Sequence, residues 1–265
     1  IKRLLALLDR YEIPTTWAMV GHLMLPGCSR EAGAAHADVM PRPAYSWFPK
    51  DWYVHDPCTP AGHAPGWYAP DILDWIRGMK VRHEIASHSF AHIYYGDPEC
   101  SAAAARADLS AAVAAAAEQS VSLKSFVFPR NQVGHLEVLR EQGIRTYRGA
   151  DHTRFRTFKG VLYKTLSFLD QLLGLPPKAV RPEEVMPGLW NIPGNHFYMA
   201  RNGIRKLIPI ASRVRKGKQG IRQAIRTGGV YHLWFHPFNL NADADAMLSG
   251  LEELFLDADQ LRGEG

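Results

Sequence analysis

Cysteine is scarce in this chain. Cys28, Cys58 and Cys100 are an odd set of three without CxxC spacing, which argues against a disulfide framework and against a thiolate zinc site. That usage leans toward a reducing compartment. No apolar run reaches the roughly 18 residues that a membrane span requires. Acidic residues are absent from 201–228, where nine Lys and Arg stand together and carry much of a net charge of +5. Such a block suits contact with an acidic glycan or a phospholipid surface, or it is simply a solvated helix face. It lacks the interleaved aromatics that nucleic acid binding calls for, so no nucleic-acid partner is expected. An initiating Met is also missing, and Ile1–Glu12 (IKRLLALLDRYE) already reads as an amphipathic helix. An upstream segment is therefore expected.

What is present fits one α/β domain over 1–265. The length suffices for a sizeable core, and no repeat or linker divides the chain. IPTTWAMVG (13–21) reads as a buried strand, and PDILDWIRGM (70–79) as a helix with Pro in its first turn. Residues 83–88 read as a strand. Ser101 is the expected N-cap of the Ala-rich helix that follows it. SFVFPRN (125–131) is the next strand, HLEVLREQG a helix stopped at Gly143, and RTYRG (145–149) a short strand. A helix over 158–175, strands over 189–195 and 229–240, and a helix over 243–262 complete the chain. Strand and helix alternate, which predicts parallel βα units.

Residues 26–70 interrupt that rhythm as a long insertion without a sustained period, and a loop of that length in a domain is usually functional. Its aromatics Trp47, Phe48, Trp52, Tyr53, Trp67 and Tyr68, with Asp51 and Asp56, have the composition of a platform for sugar rings. They equally suit a small core belonging to the loop itself, and the sequence leaves both readings open.

The chemistry concentrates in VRHEIASHSFAH (81–92). Two histidines four apart, His88 and His92, follow a strand-like run, and that spacing lets two imidazoles meet one metal ion. Period-2 alternation places Glu84, Ala86 and His88 on one face. In a chain with twelve histidines, HxxxH alone is a weak signal. In the last strand the same alternation places His232, Trp234 and His236 on one face, with His236 at its C-terminal end.

Taken in order, HEIASHSFAH, FVFPRN and HLWFHP resemble the polysaccharide deacetylases, the NodB-homology or carbohydrate esterase family 4. The likeness is strongest to bacterial members associated with exopolysaccharide and O-antigen synthesis. The resemblance implies a distorted (β/α) barrel, N-terminally incomplete here, a divalent metal that is most often Zn2+, and removal of acetyl groups from N-acetylated sugars. By it, His88 and His92 are metal ligands, and Ser89 supports their turn through hydrogen bonds. His236 is the acid that protonates the leaving amine, and Arg130 offers its backbone N–H to the oxyanion. Trp47, Trp52, Trp67 and Trp234 are the candidate contacts to an acetylated glycan or oligosaccharide. In compartment, the bacterial cytoplasm is slightly favoured over the envelope.

Two positions depart from the family. Val127 stands where an Arg is usual and Arg130 where a Tyr is usual. The family's first motif, two aspartates that act as base and third metal ligand, has no counterpart after Ile1, and Glu84 reads as a supporting carboxylate. The expectation is an active parent protein with those aspartates upstream, and impaired activity in the present length. The alternatives are a glycan-binding relative without catalysis, and a hydrolase of small cyclic amides on the same scaffold.

Overall fold

The computed structural model describes residues 1–151, 155 and 157–264. In chain order the regular elements are α1 (Lys2–Arg10), β1 (Thr16–Met19), β2 (Arg30–Glu31), β3 (Ala34–Ala35), α2 (Asp71–Arg77), β4 (Glu84–Ser87), α3 (Ala102–Glu118) and β5 (Ser125–Val127). They continue with α4 (Leu136–Glu141), β6 (Thr146–Arg148), α5 (Gly160–Leu173), β7 (Glu183–Met186), β8 (Leu189–Asn191), β9 (His196–Phe197), α6 (Ile210–Thr227), β10 (Leu233–Trp234) and α7 (Ala244–Glu264). The chain divides into two compact units, one of Pro14–Ala150 with Glu184–Asn191, the other of Ile1–Ile13, Asp151–Glu183 and Ile192–Gly265.

The first unit is built on a six-stranded sheet in the order β1-β4-β5-β6-β8-β7. Strands β1, β4, β5, β6 and β8 pair in parallel, with Thr16 opposite Glu84, Ser87 opposite Phe126, and Phe126 opposite Tyr147. The mixed α/β class is therefore as expected. The sheet is open, and among the described residues no ladder closes it into a barrel. Helix α3 starts at Ser101, whose hydroxyl accepts the Ala104 N–H at 3.1 Å, as its N-cap position requires. Ala104, Ala105, Asp108, Leu109 and Ala112 recur at helical spacing along its buried face. Small side chains there admit close neighbours. A Cβ on Gly21, in the turn after β1, would lie 2.9 Å from the Ala112 Cα, so only glycine fits that approach. Within 26–70 the regular structure is the hairpin β2–β3, turned by Ala32 and Gly33 at φ 47° and 84°, a pair of left-handed residues of the type that suits a two-residue hairpin.

The second unit carries α1, α5, α6 and α7 with a two-stranded parallel ladder, β9 and β10. Leu4, Leu5, Leu7 and Leu8 give α1 its buried stripe, and Arg3 reaches Asp245 of α7 at 2.7 Å. The basic block proves amphipathic: α6 begins directly after Pro209 and buries Val214, Gly217, Gly220 and Ala224. Several of its cations are engaged inside the unit. Arg213 is 1% exposed and donates to the carbonyls of Met199 and Arg205. Lys216 pairs with Asp170, and Arg222 forks onto both oxygens of Asp257 at 2.9 and 2.8 Å. The strand expected over 229–240 is shorter than its residue types predict. Only Leu233–Trp234 form a ladder, because Pro237 brings no N–H and the Asn239 side chain accepts the His236 amide at 2.9 Å, turning the chain into a 3-10 helix.

Candidate functional site

Strand β4 delivers His88. The His88 amide donates to the Met19 carbonyl at 2.7 Å, prolonging the β1–β4 ladder by one residue. Its Nδ1 lies 2.7 Å from the Val127 carbonyl oxygen, which can only accept. Nδ1 therefore carries a hydrogen, which makes Nε2 the ring nitrogen suited to ligate a metal. Val127 lacks the Arg side chain usual at its position in the resembled family, yet its backbone orients His88.

Beyond His88 the chain doubles back through two left-handed residues, Ser89 (φ 71°) and His92 (φ 56°). This brings the two imidazoles together, with ring centroids 4.8 Å apart and planes at 76°. Left-handed backbone in residues other than glycine costs about 1–3 kcal/mol each and persists where the surroundings enforce it. Here Asp108 enforces it. Its buried carboxylate accepts from the Ser89 hydroxyl at 2.8 Å, the Phe90 and Ala91 amides at 2.9 and 3.1 Å, and the Tyr95 hydroxyl at 2.9 Å. Burial raises the Asp108 pKa, and those four donors work against the burial. Ser89 Oγ in turn accepts the Ile93 amide at 3.1 Å, so Ser89 supports the turn as its motif position implies.

An aromatic surface adjoins His92. The Tyr94 ring lies 6.0 Å from His92 and stacks on Trp47 at 5.2 Å and 17°. Trp52 stands edge-on to Tyr94 at 5.8 Å, and its indole N–H donates to the Ala91 carbonyl at 2.8 Å. The Arg130 guanidinium sits 5.3 Å over the Tyr94 ring. Arg130 and Asn131, at the end of β5, are both left-handed, at φ 53° and 56°. His88, His92, Arg130, Trp47 and Trp52 are thus neighbours in one unit.

The remaining expected contacts lie elsewhere. Trp67 stands edge-on to His22 at 5.8 Å. Trp234 and His236 belong to the second unit, where Trp234 stacks on Phe197 at 4.3 Å and sends its N–H to Asp151 at 3.0 Å. His236 stacks on Phe238 at 4.8 Å. The two readings of the insertion's aromatics divide between its residues: Tyr45, Tyr53 and Tyr68 are core, while Trp47 and Trp67 are 49% and 39% exposed. Asp56 does not belong to an open sugar platform, because it is 2% exposed. Glu84 bonds the Thr16 and Ser125 hydroxyls on the strands beside it, a structural role.

A second group of metal-ligating side chains was not legible in the sequence. The turn after β1 supplies His22, and the insertion supplies Cys28, His36 and Asp56; one ligand atom from each lies within 4.8 Å of all the others. This group could hold a metal ion. Burial alone would raise Asp56, but the Tyr68 hydroxyl, the Cys58 amide and His22 hold its carboxyl well below the usual range. Burial pushes the Cys28 thiol up to about 12, and burial followed by the nearby His22 lowers His36. The missing CxxC spacing argues only against sites with several thiolates, and Cys28 is the single sulfur of a mixed set. The His22–His36, His36–Asp56 and Cys28–Asp56 separations of 14, 20 and 28 residues follow no local period. No protein-family model matches this chain, and no curated protein matches it.

Proposed function

We propose that the protein is a metal-dependent deacetylase acting on N-acetylated sugars of a bacterial polysaccharide or its precursor, on a barrel-like scaffold of the polysaccharide deacetylase type. The observation that carries this reading is the His88–His92 pair, 4.8 Å apart on a strained turn that buried Asp108 enforces beside the aromatic surface of Tyr94, Trp47 and Trp52. A divalent cation held by His88 and His92, Zn2+ by the preference of imidazole ligands, would polarise an acetamide carbonyl and lower the pKa of a water molecule. Within the chain, the Val127 carbonyl holds the His88 ring by its Nδ1–H. The Arg130 amide, presented by left-handed backbone, is offered to the developing oxyanion, and its guanidinium adds positive charge nearby. Trp47 and Trp52 stack against sugar rings, with Trp67 and Trp234 as further contacts. His236 takes the acid role by its motif, giving a proton to the leaving amine. The resemblance calls for two aspartates, as base and third ligand, in addition to these residues.

The test is release of acetate, with matching free amine, from an N-acetylated oligosaccharide by the zinc-loaded full-length protein. Activity that disappears in His88→Ala supports the reading. Glycan binding without acetate release overturns it in favour of a binding protein, and hydrolysis confined to small cyclic amides overturns the substrate class.

A further inference from the structure

The cluster at His22 gathers four metal-ligating side chains around one buried point. His22 Nδ1 lies 3.0 Å from the Trp67 carbonyl oxygen, an obligate acceptor, so Nδ1 bears the hydrogen. The Nε2 of His22 faces Asp56 Oδ2, 2.7 Å away, and His36 Nε2, 3.0 Å away. His36 Nε2 also lies 2.9 Å from the same carboxylate oxygen, and Cys28 Sγ lies 3.5 Å from it. Two ring nitrogens, a sulfur and a carboxylate oxygen thus converge within 4.8 Å of one another, where the side chains of His22, His36 and Asp56 are only 7%, 8% and 0% exposed.

From this geometry we infer that His22, Cys28, His36 and Asp56 hold a structural metal ion, zinc by the donor set of two imidazoles, one thiolate and one carboxylate. A cation among the four is within reach of a ligand atom from each. Zinc sits about 2.0–2.3 Å from such atoms, so ligand atoms on its tetrahedron are about 3.3–3.7 Å apart. The closest pairs stand 2.7–3.5 Å apart and all four ligand atoms lie within 4.8 Å of one another, so small side-chain rotations bring them to that range. The surrounding contacts are those of a metal centre: Trp67 fixes the His22 tautomer, and Asp56 Oδ1 accepts from Tyr68 at 2.6 Å and from the Cys58 amide at 2.9 Å. With four protein ligands the site has no open position, so its role is structural, not hydrolytic. It fastens the 26–70 insertion, with Trp67, to the turn after β1. This inference does not rest on the deacetylase reading.

The experiment is replacement of the bound metal by Co2+ in the purified protein, with absorbance spectra and metal quantitation. Cobalt bound to a thiolate gives a near-ultraviolet charge-transfer band, and the His88–His92 edge contains no sulfur. The expected result is the thiolate band with one equivalent of cobalt accounting for it, loss of the band in Cys28→Ser, loss of that equivalent in His36→Ala, and both retained in His88→Ala. Absence of the band from the wild-type protein overturns the inference without any variant, and so does a band that survives Cys28→Ser. Acetate release failing while the band is present would reject the deacetylase reading alone.

Discussion

Asp108 shows how a single buried carboxylate shapes the site. Replacing it with Ala leaves the Ser89 and Tyr95 hydroxyls and the Phe90 and Ala91 amides without their acceptor, a loss of about 3 kcal/mol. The midpoint of thermal unfolding should fall by about 6–12 °C; a fall below 2 °C would show that the network carries little. For the imidazoles, His88→Ala should lower metal affinity in the full-length protein. His236→Ala should leave that metal bound and cut turnover about 10²–10⁴-fold, and loss of metal from His236→Ala would show the roles to be wrongly assigned. His88 and His92 were legible because a strand followed by HxxxH is a local pattern. Asp108 left a fainter mark, an acid at the i+4 position from Ala104 and i−4 from Ala112, on a face otherwise made of small apolar residues. His22, Cys28, His36 and Asp56 left no pattern, since only the path of the insertion brings them together.

Among the elements, α6 departs furthest from its sequence. Cations without an acid, nine over 201–228 and six of them in α6, suggest a solvated face, but Arg213 and Lys216 are buried, and the counter-charges Asp170 and Asp257 come from α5 and α7. Charge partners distant in sequence are invisible to a local reading. The neighbouring strand β9 yields a pH prediction. Burial lowers His196 to about 3, helped by the positive charges of Lys216 and Arg213. The unfolded chain binds a proton at this position below its ordinary value of 6.5, whereas the folded chain resists it down to about 3. Stability contributed by the neutral imidazole is therefore complete above pH 6.5 and declines as pH falls through that window. Between pH 7 and 4 the wild-type melting temperature should fall more steeply than that of His196→Gln. Parallel curves would indicate that the imidazole is protonated in the folded state.

For the whole molecule, the alternation of strands and helices foretold a parallel α/β architecture, and the strand order β1-β4-β5-β6-β8-β7 agrees with it. The distorted barrel came from resemblance alone, because barrel curvature depends on pairings between strands far apart in the chain, which local residue types do not encode. The insertion's length and aromatics drew the eye to it, but nothing in them signalled that Cys28, His36 and Asp56 converge with His22. Removing metal with a chelator should hasten proteolytic cleavage within 26–70 while β4 and β5 stay resistant; unchanged cleavage would mean that metal does not order the insertion. The most direct measurement remains the acetate released from an N-acetylated oligosaccharide by the zinc-loaded full-length protein. Release in step with free amine, abolished by His88→Ala, is the predicted result, and bound metal and bound glycan with no acetate would contradict it.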